Sequence, residues 1–221
     1  MSSLDQRTER RPRGRPRAFD REAALRRAME VFWAKGFDSC SMSDLVDAMD
    51  INSPSIYAAF GSKENLFREA IDLYAISEGA ITRQAIKELG SGREAIAAVL
   101  KRNIDMLTGA SAPRGCMVIL GPVNIGAGHE ELRAFLQGRA RSVADLIKQR
   151  LVQSLADGEL AEDTDTDVLA TLCVTVLSGL SVQAHNGVAR QTLLDAADVF
   201  VSTLPFISGK KKKEARRLPS A

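Results

Sequence analysis

The sequence predicts an all-α protein in which an N-terminal three-helix unit containing a helix-turn-helix precedes a larger helical domain. Three observations predict this class. Apolar residues recur at helical spacing along the 221-residue chain, residues that cap helices stand before these stretches, and the second half shows no strand-like alternation of apolar and polar residues. A hydrophobic content of 45% with 26% charged residues is typical of a soluble globular protein.

The first helix is expected to begin after Asp20 and to end at Gly36. Between them, Ala24, Ala28 and Phe32 recur on one side of a helix. An aspartate can accept hydrogen bonds from the first free amides of a helix, and glycine commonly ends one.

The second helix is predicted to be short. Ser41 and Asp44 have the spacing of a capping box, in which each side chain accepts a hydrogen bond from the other residue's backbone amide. The helix runs through Met49 and stops near Asp50, and residues 50–52 form a tight turn.

The third helix is predicted to start at Asn52 or Ser53, since either can cap it, with Pro54 in its first turn where a missing amide costs nothing. Gly61 ends this helix, and Ser62 caps a fourth. One side of the fourth helix carries Leu66, Phe67, Ile71 and Tyr74.

Two short helices joined by a tight turn behind a longer helix describe a helix-turn-helix, whose second short helix enters the major groove of DNA. Hydroxyl and amino groups there can meet phosphates or base edges. The candidate contacts on and beside the third helix are Ser53, Ser55, Tyr57 and Lys63. Ile56 and Phe60 are expected in the core, whereas Tyr57, flanked by small residues, is expected to keep its hydroxyl exposed.

Positive charge is concentrated at the two ends of the chain. Residues 1–21 hold seven arginines against three acidic residues, and the tail "KKKKEARR" is also basic, so residues 22–209 are net acidic although the whole chain is +2. Nucleic-acid contact should therefore be local. The run "RRPRGRPR" suits an extended arm on DNA through Arg15 and Arg17, with a solvated terminus as the alternative. The tail is interpreted as a solubility or weak nonspecific-contact segment.

The second domain is predicted to be helical throughout. Its segments are "SGREAIAAVLKRNIDMLTG", "CMVILGPVNIG", a long helix from about His129 to Leu155, an apolar helix from about Thr166 to His185 and an amphipathic helix from about Arg190 to Leu204. The apolar helix needs cover from several sides, and a homodimer would supply it. No uncharged apolar run is expected to reach the ~18 residues of a membrane span, and no secretory signal is seen, so a cytoplasmic location is expected.

The stretch "SMSDLVDAMDINSPSIYAAFGSKENLFREAIDLY" resembles the helix-turn-helix of the TetR/AcrR family of transcriptional regulators, over roughly residues 17–77. The remainder resembles the family in layout only. The resemblance implies a repressor that binds a palindromic operator, a C-terminal domain that binds an effector, and a dimer interface formed by the last two helices. Binding of the effector would release the DNA.

The resemblance also assigns residues. It places Ser41 and Ser43 at the start of the helix that braces the DNA backbone, and it places Lys63 where the family commonly touches phosphate. The recognition helix carries Ser53, Ser55 and Tyr57. Two departures are Asp50, where glycine is usual, and Ala58 with Ala59, where a histidine pair is frequent. Aspartate tolerates the left-handed backbone at some cost, and the alanines remove polar base contacts.

The three cysteines are expected to be free thiols in a reducing compartment. The segment "RGCMVILGPVN" resembles a stretch in a TetR subgroup in which some relatives use this cysteine as a thiol switch. A helix N-terminus and the nearby Arg114 would lower the pKa of Cys116 and favour the thiolate. The alternative, an inert core cysteine, is more frequent. Cys40 and Cys173 are expected to be packing residues.

Asn124 and Gln183 are candidate polar groups in an effector pocket, although each could instead satisfy local backbone or face solvent. His129 and His185 lie far apart with no neighbouring ligand pattern, so no metal site is predicted. No catalytic or cofactor-binding motif stands out, so neither an enzyme nor a cofactor is predicted.

The predicted organisation is a flexible basic arm (1–16), a DNA-binding domain (17–77), an effector-binding and dimerisation domain (78–207) and a basic disordered tail (208–221). The predicted function is a sequence-specific regulator, most simply a repressor released by a small-molecule or thiol-reactive effector. Its predicted partners are double-stranded operator DNA, a second copy of the chain and a small molecule. A helical small-molecule-binding protein or enzyme whose N-terminal helices dock a protein partner is the alternative.

Overall fold

The computed structural model describes residues 19–88, 90–109, 113 and 115–207. In this part of the chain the all-α prediction is confirmed. The helices are α1 (Arg21–Lys35), α2 (Met42–Met49), α3 (Ser53–Phe60), α4 (Lys63–Ile76), α5 (Ala80–Glu88), α6 (Gly92–Leu107), α7 (Met117–Leu120), α8 (Glu130–Ala156), α9 (Thr166–His185) and α10 (Arg190–Thr203). A 3-10 turn over Gly121–Asn124 follows α7.

The first four helices begin and end where the sequence predicts. The carboxylate of Asp20 accepts hydrogen bonds from the first amides of α1, and the capping box of Ser41 and Asp44 is formed in full. Asn52 caps α3, accepting from the amide of Ser55 at 2.9 Å. Ser62 caps α4. Local side-chain chemistry therefore sets all four starting points.

The turn between α2 and α3 depends on an unusual backbone conformation. Asp50 has φ 57° and ψ 41°, in the left-handed region. Among the described residues it is the only one other than glycine with a positive φ. The turn thus keeps its shape with aspartate at a position that favours glycine.

We call α1 to α4 (residues 19–76) the head, and its interior is rich in aromatic rings. Phe32 and Phe67 meet edge to face at 4.9 Å between centroids, as do Trp33 and Tyr74. The predicted inner side of α4 is buried. The same core is completed by residues of α7, α8 and the segment between them, namely Met117, Val118, Ile125, Leu132 and Leu136.

The remaining helices form a second core. It joins α5, α6, α9, α10 and the later part of α8, and its residues are mainly aliphatic. Helix α5, which packs on α6, was not predicted as a separate helix. It has only nine residues, so it is easily taken for a continuation of the neighbouring helical stretches.

The expectation that no stretch is long and apolar enough to cross a membrane is wrong for α9. By length and composition alone this helix qualifies, with a mean hydropathy of 1.6 over an 18-residue window. Threonine, serine and glycine interrupt the apolar residues of α9 but add no charge. A search for an unbroken apolar run therefore does not detect that the helix is long and apolar enough to span a membrane. Helix α9 packs on α6, α8 and α10, as a core helix does.

Large apolar residues are exposed on α9, among polar ones, and one is exposed on α10. The exposed large apolar residues on these two helices are Val168, Leu172, Val182 and Val199. Only 39% of the apolar window of α9 is buried. An exposed apolar surface of this kind is typical of a protein–protein interface.

Candidate nucleic-acid interface and inner cavity

Helix α3 has one buried side and one exposed side, as predicted. Ile56 and Phe60 are buried in the head, whereas Tyr57 is 45% exposed. Ala58 is also exposed, and Ser53 and Ser55 are partly exposed. The outer side of α3 therefore offers hydroxyl groups beside a small residue that permits close approach of another molecule.

The start of α2 provides a second group of exposed hydroxyls. Ser41 and Ser43 are both exposed. The Ser41 oxygen accepts from the amide of Asp44 at 3.1 Å. Arg15 and Arg17, the predicted arm contacts, lie outside the described residues.

Lys63 opens α4, directly after the end of α3. Its Nζ lies 4.5 Å from the centroid of the Phe37 ring, within the range of a cation–π interaction. The ring restricts where the ammonium group can go while the side chain stays partly exposed. A positive charge is thus presented beside the exposed side of α3.

Two arginines of α1 hold the C-terminal ends of the short helices. Arg27 donates to the carbonyl of Met49, the last residue of α2, at 3.3 Å. Arg21 donates to Glu69 at 2.7 Å and packs on the Phe60 ring at the end of α3. The sequence analysis grouped Arg21 with the basic N-terminal residues. Its structural role could not be predicted there, because only the tertiary fold brings Arg21 to Glu69.

An ion pair connects the end of α1 to the start of α2. Lys35 Nζ lies 2.6 Å from Asp44 Oδ1. This hydrogen bond, together with those from the amide and hydroxyl of Ser41, lowers the pKa of Asp44 to about 2. The carboxylate therefore stays ionised and keeps capping α2 well below neutral pH.

Contacts of His129 and Trp33 are among those that join the head to later parts of the chain. His129 Nδ1, just before α8, lies 2.6 Å from Glu64 Oε1 on α4. The Trp33 indole N–H, on α1, donates to the carbonyl of Gly115 at 2.6 Å, and this bond is buried. Displacement of the segment before α7 would therefore be felt directly by α1.

A cavity of about 130 Å³ lies beneath the junction of the two cores. Its wall is mostly apolar and comes from α4, α5, α6, α7, α8 and α9. The polar, sulfur-containing and charged residues of the wall include Tyr74, Thr82, Asn103, Met106, Cys116 and Arg139. Concave, mainly apolar cavities with a few polar groups are typical of small-molecule sites.

Cys116 lines this cavity, but its predicted acidity is wrong. Burial raises the pKa of the Cys116 thiol, and hydrogen bonding to the Tyr74 hydroxyl and two backbone amides counters this only in part. Helix α7 has only four residues, so its dipole is too short to outweigh desolvation. Arg114, the other predicted cause, lies outside the described residues.

Of the two predicted pocket residues, Gln183 is exposed on α9 and is not in the wall of this cavity. Helix α9 is buried on one side only, and Gln183 lies on its exposed side. The side chain of Asn124 lies outside the described residues.

The polar pair that does line the cavity, Asn103 and Thr82, was missed. Asn103 Nδ2 donates to Thr82 Oγ1 at 2.9 Å and to the carbonyl of Val99 at 2.7 Å. Both side chains are buried. A lone asparagine inside an otherwise amphipathic helix was the available signal.

The other two cysteines are core residues, as predicted. Cys40 and Cys173 are buried. Burial raises the pKa of both thiols, that of Cys173 to about 11. Within the described ranges there is no cluster of three histidine, cysteine or acidic side chains arranged to hold a metal ion.

Two family models match separate parts of the chain. The model for bacterial regulatory proteins of the tetR family matches residues 24–70. The model for tetracyclin repressor-like C-terminal domains matches residues 92–197. Together the two matches cover more than half of the chain.

Individual relatives align over most of their length. The HTH-type transcriptional repressor ComR of Escherichia coli (strain K12) is 31% identical over 87% of this chain and 92% of its own. The repressor BdcR of the same organism is 30% identical over 83% and 88%. Among solved structures, a cysteine mutant of the TetR family regulator CifR, complexed with 26-bp double-strand operator DNA, is 42% identical with a TM-score of 0.83, over 87% of this chain and 100% of that one.

Proposed function

This chain belongs to the TetR family of bacterial regulatory proteins, and we propose that it is a sequence-specific DNA-binding repressor controlled by a small molecule. The observation that carries the proposal is the exposed side of α3, where Tyr57 faces outward on a helix whose opposite side is buried. The relatives ComR and BdcR are named as repressors, and the CifR mutant was solved with operator DNA. Such a regulator acts where the chromosome is, in the bacterial cytoplasm.

Each head is proposed to read one half of a palindromic operator through α3 in the major groove. Ser53, Ser55 and Tyr57 would meet bases or phosphates, and Lys63 would meet a phosphate as a point charge. Ser41 and Ser43 would brace the backbone from the start of α2. Arg15 and Arg17 of the N-terminal arm would add contacts to phosphates or the minor groove.

A homodimer is proposed to pair the two heads. The exposed apolar residues of α9 and α10 supply the interface, because burial against the same surface of a second copy removes them from water. Two α3 helices held at a fixed distance can then engage half-sites separated by about one turn of DNA, roughly 34–36 Å.

Release from DNA is proposed to begin in the cavity. Tyr74 and Ala75 of α4 line it, and α4 directly follows α3 in the head. Cys116 also lines it, packs against both cores, and donates its amide to Ser181 Oγ on α9 at 2.8 Å. A ligand that displaces these groups would tilt α4 and change the distance between the two reading helices, so that both half-sites no longer fit.

Release from DNA is also proposed to follow from reaction of a thiol-reactive effector with Cys116. The thiol faces the cavity, which supports access by a small reagent, while its raised pKa slows reaction because the thiolate is the nucleophile. Modification would add atoms inside the cavity and act as a bound ligand does.

DNA binding is tested with a duplex from beside the protein's own gene, by fluorescence anisotropy of the full chain. We expect Tyr57→Ala to weaken binding about tenfold or more, because a hydrogen-bonding and packing contact is lost. Val152→Ala is the matched control, since Val152 on α8 is 46% exposed. Equal affinities for both variants and the unaltered chain would contradict the role of α3.

The thiol form is tested by repeating the titration after treatment with a small thiol oxidant. If Cys116 controls release, treatment lowers operator affinity in the unaltered chain and leaves Cys116→Ser unaffected. Loss of affinity in both proteins would assign the effect to another site. An unchanged affinity in both would leave Cys116 as a wall residue only.

A further inference from the structure

We propose that the cavity is built for a small, uncharged aromatic molecule that carries one hydroxyl or amino donor, of about the size of phenol. The assignment rests on the proposed function only in its last step, from a bound ligand to DNA release. Its remaining steps concern the cavity itself, namely its volume, its charges and the side-chain oxygen of Asn103.

The volume limits the ligand to about one ring. The cavity measures about 130 Å³, and a dry apolar cavity of about 150 Å³ in another protein holds one benzene molecule. A fused two-ring compound or a long acyl chain would therefore have to enlarge this cavity before it could bind.

The charges of the wall favour a neutral ligand. Arg139 reaches the cavity but forms an ion pair with Asp72 and packs on the Phe135 ring. Arg83, the other cation of the wall, is exposed, so water screens its charge. Burying a carboxylate or ammonium among the apolar side chains would carry a desolvation cost with no buried counter-charge to offset it.

The Asn103 side-chain oxygen is positioned to select a donor. Asn103 is 8% exposed and uses its amide nitrogen for Thr82 and Val99. Its oxygen has no donor among the described residues. In that part of the chain no fully buried side-chain oxygen or nitrogen lacks a partner, so this oxygen keeps contact with the cavity space and can accept from a ligand O–H or N–H.

The sulfur atoms favour an aromatic body for that ligand. Met106 and Cys116 both line the cavity, and the Tyr74 hydroxyl lies 3.9 Å from Met106 Sδ. Polarisable sulfur makes favourable contacts with aromatic rings, usually at the ring edge. A single uncharged ring with one hydrogen-bond donor thus fits the cavity volume, needs no buried counter-charge and can donate to the Asn103 oxygen.

Isothermal titration of the full chain without DNA tests the assignment, with phenol, toluene, benzoate and 1-naphthol as probes. We expect phenol to bind about tenfold more tightly than toluene, because the Asn103 oxygen gains a hydrogen bond, and more tightly than benzoate or 1-naphthol. Asn103→Leu should remove the preference for phenol over toluene. Thr82→Val, which keeps the Asn103 oxygen, should retain it.

A second variant keeps the test independent of how Asn103→Leu folds. Ala140→Phe fills the cavity from α8 and leaves Asn103 unsubstituted, and it should abolish binding of both phenol and toluene. The assignment is overturned if no probe binds, if benzoate or 1-naphthol binds most tightly, if toluene equals phenol, or if Ala140→Phe binds phenol normally.

The DNA titration separates this assignment from the proposed function. Phenol binding with no operator binding would retain the ligand class and refute the regulator. Operator binding without phenol binding would do the reverse. If both occur, saturating phenol should lower operator affinity in the unaltered chain and not in Ala140→Phe.

Discussion

The head and the second core are both helical, but they differ in the side chains that fill each interior and in how completely each surface is covered. In the head, Phe32, Phe37 and Phe67 contact one another through their rings. The second core is mainly aliphatic and leaves large apolar residues of α9 and α10 exposed, and the cavity lies where it meets the head. The difference separates an aromatic unit that presents α3 from a domain whose exposed apolar residues can meet a second copy.

The largest expected effect concerns the exposed apolar residues of the second core. Leu172→Asp should change little in an isolated chain, since Leu172 is 46% exposed, but it would bury an unpaired carboxylate in a dimer. We expect the dimer dissociation constant to rise more than about 100-fold, as measured by sedimentation velocity. Val152→Asp, on α8, is the control, and an unchanged mass for Leu172→Asp would show that this surface is not the interface.

The second prediction compares the two interiors directly. Leu66→Ala should lower the free energy of unfolding by about 3–5 kcal/mol, because it leaves a void in the fully buried interior of the head. Leu146→Ala, the same substitution in the cavity wall, should cost only about 1–2 kcal/mol, because that side chain already borders empty space. Urea unfolding followed by circular dichroism measures both. Equal costs would mean that the two interiors are packed alike.

The third prediction concerns the strained turn of the head. Asp50→Gly should raise the free energy of unfolding by about 1 kcal/mol, because glycine adopts the left-handed conformation without a Cβ penalty. Asp163→Gly is the control, since Asp163 lies in a loop and has no positive φ. A loss of stability in Asp50→Gly would indicate that the aspartate side chain contributes more than its backbone costs.

The smallest expected effect concerns how strongly acid weakens two capping boxes. One is formed by Ser41 and Asp44 at the start of α2, and the other by Ser91 and Glu94 at the start of α6. Asp44 in the head is bonded to Lys35 and has a pKa of about 2, against 3.8 ordinarily. Its stabilisation is complete above the unfolded value and is lost as pH falls towards 2. Glu94 on α6, whose pKa is lowered by Ser91, lacks the lysine contact that Asp44 has.

The measurement is the free energy of unfolding between pH 5 and about 2.5, the interval that the Asp44 shift sets. Asp44→Asn should flatten this dependence more than Glu94→Gln does. If Glu94→Gln flattens it more, the lysine contact is not what holds the Asp44 carboxylate in its charged form.

The head could be predicted from the sequence almost residue by residue, because its signals are local. Asp20, Ser41, Asn52 and Ser62 cap helices through bonds to amides two or three residues away. Such bonds depend on short spacings between residues, which the sequence gives directly. The exposed position of Tyr57 followed from the same kind of local pattern.

The cavity could not be predicted in the same way, because its wall is assembled from distant segments. Asn103 and Thr82 are 21 residues apart, and the sequence does not tell which side of α9, and hence whether Gln183, faces inward. The pKa of Cys116 depends on burial created by other helices, which outweighs the local helix end. The His129–Glu64 contact likewise spans 65 residues.

The most direct test of DNA reading by the head is the salt dependence of operator binding. The slope of log Kd against log salt counts phosphate contacts, so Lys63→Ala should reduce it by about one for each Lys63 that meets a phosphate. Lys101→Ala, an exposed lysine on α6, should leave the slope unchanged. An unchanged slope for Lys63→Ala, or an equal reduction for Lys101→Ala, would contradict DNA contact by the corner between α3 and α4.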